Sequence, residues 1–81
     1  LTQLEEALEE YPDNSDTRFA LAAAYLVADD YSAALDQLAD LVRRDPGYRN
    51  GLPRRALMGV LDTLDPDDER IRRYRQHLLD H

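Results

Sequence analysis

Two histidines, seventeen acidic side chains and ten arginines supply most of the reactive polar groups in these 81 residues, and there is no cysteine. The histidines, His77 and His81, both fall in the last five positions. The densest acidic run is Asp65-Pro66-Asp67-Asp68-Glu69. Carboxylates so close together could hold a divalent cation, but a calcium loop needs a twelve-residue ladder of ligands with a central glycine, which is missing. A zinc site needs several ligands at regular spacing, and one imidazole among scattered acids does not provide them. No glycine-rich phosphate loop is present. No serine, cysteine or threonine pairs with a base in a nucleophilic arrangement. Without cysteine, thiol redox chemistry and disulfides are excluded from this segment. The expectation is therefore no cofactor, no metal, no catalytic residue and no enzymatic activity.

Charge narrows the partners. Residues 1–42 carry ten acids and one base, Arg18, for a net of −9, whereas residues 43–81 carry seven acids and nine arginines, for a net of +2. An acidic body argues against general nucleic-acid binding, which depends on neutralising phosphates. No apolar run approaches the ~18 residues of a membrane span.

Such a chain must work through shape, so the elements that build a surface come next. Leu1, Leu4, Ala7, Leu8 and Tyr11 follow the spacing of one helical face, and Pro12-Asp13-Asn14 ends that helix. Asn14 or Ser15 is placed to cap a second helix over about Asp16 to Ala28, rich in alanine at its centre. Asp30 is placed to cap a third helix, Tyr31 to Arg44, with the stripe Leu35, Leu38, Leu41 and Val42. Its last turn carries Arg43 and Arg44, the favoured sign at a helix C-terminus. After a longer connection, Tyr48 to Leu52, a fourth helix begins near Pro53 and runs through Leu57, Val60 and Leu61 to Leu64. Asp65-Pro66 predicts the start of a fifth helix, whose inner stripe is Ile71, Tyr74, His77 and Leu78.

The helices repeat. A shift of 34 places Leu1 on Leu35, Gln3 on Gln37, Leu4 on Leu38 and Pro12 on Pro46. A shift of 36 places Leu21 on Leu57, Tyr25 on Leu61, Leu35 on Ile71, Leu38 on Tyr74 and Val42 on Leu78. The two additional residues fall in the Tyr48–Leu52 connection. A period of this length marks a helix–turn–helix repeat that buries its apolar faces by stacking.

With Leu21-Ala22, Tyr25, Asp30-Tyr31, Ala34 and Asp45-Pro46 at their spacing, residues 15–48 resemble a tetratricopeptide repeat. The position where that pattern opens with an aromatic residue holds Arg18. The resemblance implies an all-α, α-hairpin superhelix of about five helices: residues 1–13 as the second helix of an incomplete repeat, 14–47 as a full repeat, and 48–81 as a diverged C-terminal hairpin. Leu21, Ala22, Tyr25, Ala34, Leu38 and Pro46 are then structural repeat positions. Because the chain opens at Leu1 already in helical rhythm, it reads as a fragment of a longer protein. The stripe of its first helix should be bare, and a second copy would cover it in a homodimer.

Stacked hairpins curve, and the first helix of each unit lines the hollow side. That places Asp16, Phe19, Ala23 and Leu26 in a protein-binding groove, with Val27 at its edge and Leu52, Arg55, Gly59, Asp62 and Thr63 following from the last unit. Family members that grip C-terminal carboxylates use lysine and asparagine where Phe19 and Ala23 stand, so that clamp is not expected. An apolar strip suits an amphipathic helix or a non-native protein; Phe19 could equally serve to pack against a neighbouring helix. Arg70, Arg72, Arg73 and Arg75 read either as a solvated face paired with Asp67, Asp68 and Glu69 or as a docking surface for an acidic partner.

The tail carries a second resemblance. Arg54-Arg55-Ala56-Leu57-Met58-Gly59-Val60-Leu61-Asp62-Thr63-Leu64, followed by Ile71-Arg72-Arg73-Tyr74-Arg75-Gln76-His77-Leu78-Leu79, is similar to the C-terminal end of bacterial thioredoxin-like proteins with a tetratricopeptide region, among them the chaperedoxin co-chaperones. Asp65-Pro66 stands where those proteins carry a glycine. This resemblance implies a cytoplasmic client- or chaperone-binding arm with a thioredoxin domain upstream. The alternative is a generic tetratricopeptide scaffold of an unrelated assembly.

Overall fold

Helix-favouring runs separated by proline, asparagine and aspartate turns produce α1 (Thr2–Glu10), α2 (Ser15–Val27), α3 (Tyr31–Arg44) and α4 (Leu52–Thr63). This computed structural model describes residues 2–64, 67–69, 71–73 and 76, and helical backbone at 69, 71–73 and 76 forms a fifth helix, α5. No strand occurs among the described residues, so the fold is all-α.

The helix starts are built in different ways. Asn14, rather than Ser15, caps α2 by accepting from the Thr17 backbone N–H at 3.0 Å. Asp30 caps α3 by accepting from Ala33 N–H at 3.2 Å. No side chain caps α4. Its cap is Gly51 at φ +84°, and Pro53 lies in its first turn. Arg49, Asn50 and Gly51 stand in succession in the left-handed region, at φ 45°, 61° and 84°. This is where the lengthened repeat takes up its two additional residues. For α5, the Asp68 carbonyl accepts from Ile71 N–H at 3.0 Å and Arg72 N–H at 3.4 Å. The helix thus opens at Asp68, past the Asp65-Pro66 signal that the sequence favours. Asp65 and Pro66 lie outside the described residues, as do Leu1, Arg70, Tyr74, Arg75 and residues 77–81.

α1 packs on α2, α2 on α3 and α3 on α4, and the α2–α3 contact is the most extensive. The hub is α3. Its Leu35 and Leu38 are fully buried, between Ala22 of α2, Leu57, Val60 and Leu61 of α4, and Ile71 of α5. Ala22 and Ala34 are buried to within 1% of zero exposure, so the helices meet there at close range. A larger side chain at either would overpack the crossing, at about 1–3 kcal/mol. Leu21 is likewise buried and Tyr25 half-buried, while Pro46 is exposed at its turn. In α1 no residue is buried; Leu4, Ala7 and Leu8 are half-covered against α2.

Candidate functional site

Arg18, the residue that departs from the repeat pattern, is 5% exposed. A guanidinium can be buried only if its donors are met. Here Nη1 donates to Gln37 Oε1 at 2.9 Å and to Asp40 Oδ2 at 3.2 Å, and Nη2 donates to the Pro12 carbonyl at 2.9 Å. One side chain thereby ties α2 to α3 and to the turn that ends α1. Burial, and then the charge of Arg44, pull its pKa downward, while Asp13 opposes them. Nearby, Ser15 Oγ donates to Asp45 at 2.7 Å and Arg44 pairs with Asp13 at 3.2 Å. These contacts border a hollow of about 180 Å³ lined by Pro12, Asp13, Ser15, Arg18, Leu41, Arg44 and Asp45.

On the groove side of α2, Asp16 and Ala23 are exposed, whereas Phe19 and Leu26 are half-buried and lean on the core. The open apolar strip is thus narrower than the spacing alone suggests: Ala23, Val27 at 87% exposure, and the outer faces of Phe19 and Leu26. On α4, Arg55, Gly59, Asp62 and Thr63 are exposed, with Met58 at the edge of exposure and Leu52 half-buried.

The structure joins Asp16, Phe19 and Arg55 through two residues that the sequence places only in a connection, Tyr48 and Arg49. The Tyr48 hydroxyl donates to Asp16 Oδ1, and Arg49 Nη2 reaches the same oxygen at 3.3 Å. The Tyr48 ring lies 6.0 Å from Phe19, tilted by 46°. The Arg49 guanidinium sits 5.3 Å from the Tyr48 ring centre, and Arg55 Nη2 donates to the Arg49 carbonyl at 3.2 Å. Donation to Asp16 raises the Tyr48 pKa, burial adds to the rise, and Arg49 works against it. Tyr25 also titrates high, first through burial and then through the charge of Glu5 nearby. Leu26 and Asp62 stand outside this hydrogen-bonded bracket. The only sequence hint of the bracket is an aromatic–arginine pair directly after the Pro46-Gly47 stop.

Among the described residues, no three His, Cys, Asp or Glu side chains converge as ligands for a cation, and no helix is long and apolar enough to cross a membrane. A comparison with protein families matches residues 1–80 to the tetratricopeptide repeat. No curated protein and no solved structure matches the chain.

Proposed function

The chain belongs to the tetratricopeptide repeat family, a class of protein-interaction module, and from that premise we propose that it is the client- or partner-binding C-terminal arm of a cytoplasmic, thioredoxin-like co-chaperone serving protein folding and redox homeostasis. The observation that carries the binding role is the strip on α2. Ala23, between the half-covered Phe19 and Leu26, and Val27 beyond them are open to solvent, and Asp16, Tyr48, Arg49 and Arg55 form a hydrogen-bonded polar edge beside Phe19. An exposed apolar strip with a polar edge suits the apolar face of an amphipathic helix or a non-native segment. The thioredoxin link rests on the arginine-led ending from Arg54 to Leu79. The family match runs through that ending to residue 80, which supports reading repeat and tail as one unit.

Ala23→Glu tests the groove cleanly, because Ala23 is exposed and the change leaves the core intact. Retention of a chemically unfolded reporter protein should fall by about tenfold in a pull-down, while the circular dichroism spectrum stays unchanged; a charge buried against an apolar ligand is worth at least that factor. Undiminished retention would sink the groove. The thioredoxin link is tested separately, by whether the open reading frame encodes a thioredoxin fold upstream of residue 1. The half-covered stripe of α1, with Tyr11 at 60% exposure, supports a homodimer through that helix. A single monomer mass in sedimentation at high concentration would rule that out.

A further inference from the structure

The shift of 36 residues that aligns the two hairpins places Arg54 on Arg18. The same shift assigns Arg73 and Gln76 to the places of Gln37 and Asp40, the two side chains that hold Arg18. The second hairpin therefore repeats the cation without repeating its carboxylate. Arg54 is accordingly exposed, and no hydrogen bond or ion pair engages its side chain among the described residues.

Around Arg54 the structure opens a hollow of about 580 Å³, against about 180 Å³ at Arg18. It is lined by Val42, Arg43, Pro46, Asn50, Gly51, Arg54 and Arg55. Pro46, Gly51 and Arg54 correspond to Pro12, Ser15 and Arg18 of the smaller hollow. The acids Asp13 and Asp45 that line the smaller one have no counterpart among the described residues lining the larger. Arg43 pairs with Asp40 and Arg55 donates to a backbone carbonyl, and both side chains remain solvent-exposed at the rim. Val42 and Pro46, with the aliphatic stems of the arginines, give the wall an apolar part beside Asn50.

We propose that this hollow, between the end of α3 and the start of α4, docks an acidic peptide segment of a partner protein. Its carboxylates would meet Arg54, Arg43 and Arg55, and an apolar side chain would rest on Val42 and Pro46. Guanidinium groups take carboxylates in charge-assisted, often bidentate pairs, and the partner supplies a carboxylate where Gln76 stands at the place of Asp40. The proposal goes beyond the groove on α2, with which it shares only Arg55.

The test uses the full chain and two blocked synthetic peptides, LEELLEEL and its amide counterpart LQQLLQQL, followed by NMR. The acidic peptide should shift the Arg54 Nε–H and Val42 methyl signals, with binding that weakens as salt is raised from 50 to 300 mM NaCl. Arg54→Ala should weaken it about tenfold and Arg54→Glu should abolish it, the size expected for one lost charge-assisted contact and for its reversal. The fold should persist in both, because Arg54 is exposed. Equal binding of the amide peptide, or full binding by Arg54→Glu, would overturn the proposal. So would shifts confined to Phe19 and Ala23, which would send the peptide to the groove instead. An Arg54 signal that moves on Asp80→Asn, with no response to the peptide, would give the hollow to the chain's own end and overturn it as well. Ala23→Glu should leave this binding intact, so failure of the groove and failure of this site read out independently.

Discussion

Arg18 and Arg54 occupy the same place in successive hairpins and have opposite fates. The first is 5% exposed and held by Gln37, Asp40 and the Pro12 carbonyl; the second is exposed beside a hollow three times larger. Nothing intrinsic to arginine decides this. Gln37 and Asp40 on α3 offer the first arginine an amide and a carboxylate, whereas the 36-residue shift puts Arg73 and Gln76 at the equivalent places of the second hairpin. A repeat position therefore carries no role of its own until its cross-hairpin neighbour is known. Stacked repeats can thus turn one residue type from an internal clamp into a surface charge by changing two positions some twenty residues away.

The sharpest way to break this comparison is to remove both arginines in turn. Arg18→Ala leaves Asp40, Gln37 and the Pro12 carbonyl without their shared donor. It should cost about 3 kcal/mol, the scale of removing one partner from a buried, charged network. For a domain whose whole stability is about 5–10 kcal/mol, that is a large fraction, and the urea midpoint should fall accordingly. Arg18→Lys should recover only part, because one ammonium cannot reach acceptors on two sides as the guanidinium fork does. Arg54→Ala should stay within about 0.5 kcal/mol of the parent chain, as exposed substitutions usually do. Equal losses at the two positions would show that the clamp is not what distinguishes the hairpins.

A middle-sized effect separates the two helix starts. The α2 start depends on a side chain, Asn14, and Asn14→Ala should cost about 1 kcal/mol. The α4 start depends on backbone freedom at Gly51, φ +84°. An added Cβ there would meet nothing within 4 Å, so the cost of Gly51→Ala comes from the left-handed conformation alone, about 1–2 kcal/mol. Thermal melts of the two variants check this. If Gly51→Ala were neutral while Asn14→Ala was not, the left-handed run from Arg49 to Gly51 would not be what sets the start of α4.

Much of this architecture is legible in the sequence because the signals are local. Asp30, Asn14 and the Pro12 and Pro46 stops act within four residues, and the apolar period marks Leu35, Leu38, Leu57 and Leu61 for the core. What could not be read is non-local. Arg18 looks like a departure from the repeat until Gln37 and Asp40 are seen across the hairpin, 19 and 22 residues away. The bracket from Tyr48 to Asp16 spans 32 residues and hangs on a turn whose three left-handed residues include one arginine. Period alone assigns Asp16, Phe19, Ala23 and Leu26 to one side of α2. Period cannot say how far Phe19 and Leu26 sink toward the core, because that depends on how closely α3 and α4 approach.

The smallest effect distinguishes the two tyrosines that fasten neighbouring pieces to α2. Tyr25 faces the charge of Glu5 on α1, and the Tyr48 hydroxyl of the 45–51 turn donates to Asp16. Both hydroxyls titrate above their ordinary value of 10.0 in the folded chain. A group whose folded pKa is raised stabilises the fold below its unfolded pKa, and that contribution is lost as pH climbs through the folded one. Stability should therefore decline above about pH 10, where unfolded tyrosine ionises first. Every influence on Tyr25 pushes its pKa upward, whereas Arg49 pulls against the rise at Tyr48. Tyr25→Phe should accordingly flatten the alkaline decline more than Tyr48→Phe, and the double variant most of all. Urea midpoints between pH 8.5 and 11 measure it, and an unchanged slope in the double variant would mean that neither hydroxyl holds its neighbour by a bond that survives in solution. If instead Tyr48→Phe flattened the decline more, the turn, and not α1, would be the more tightly fastened piece, and the polar edge of the groove would be firmer than its exposure implies.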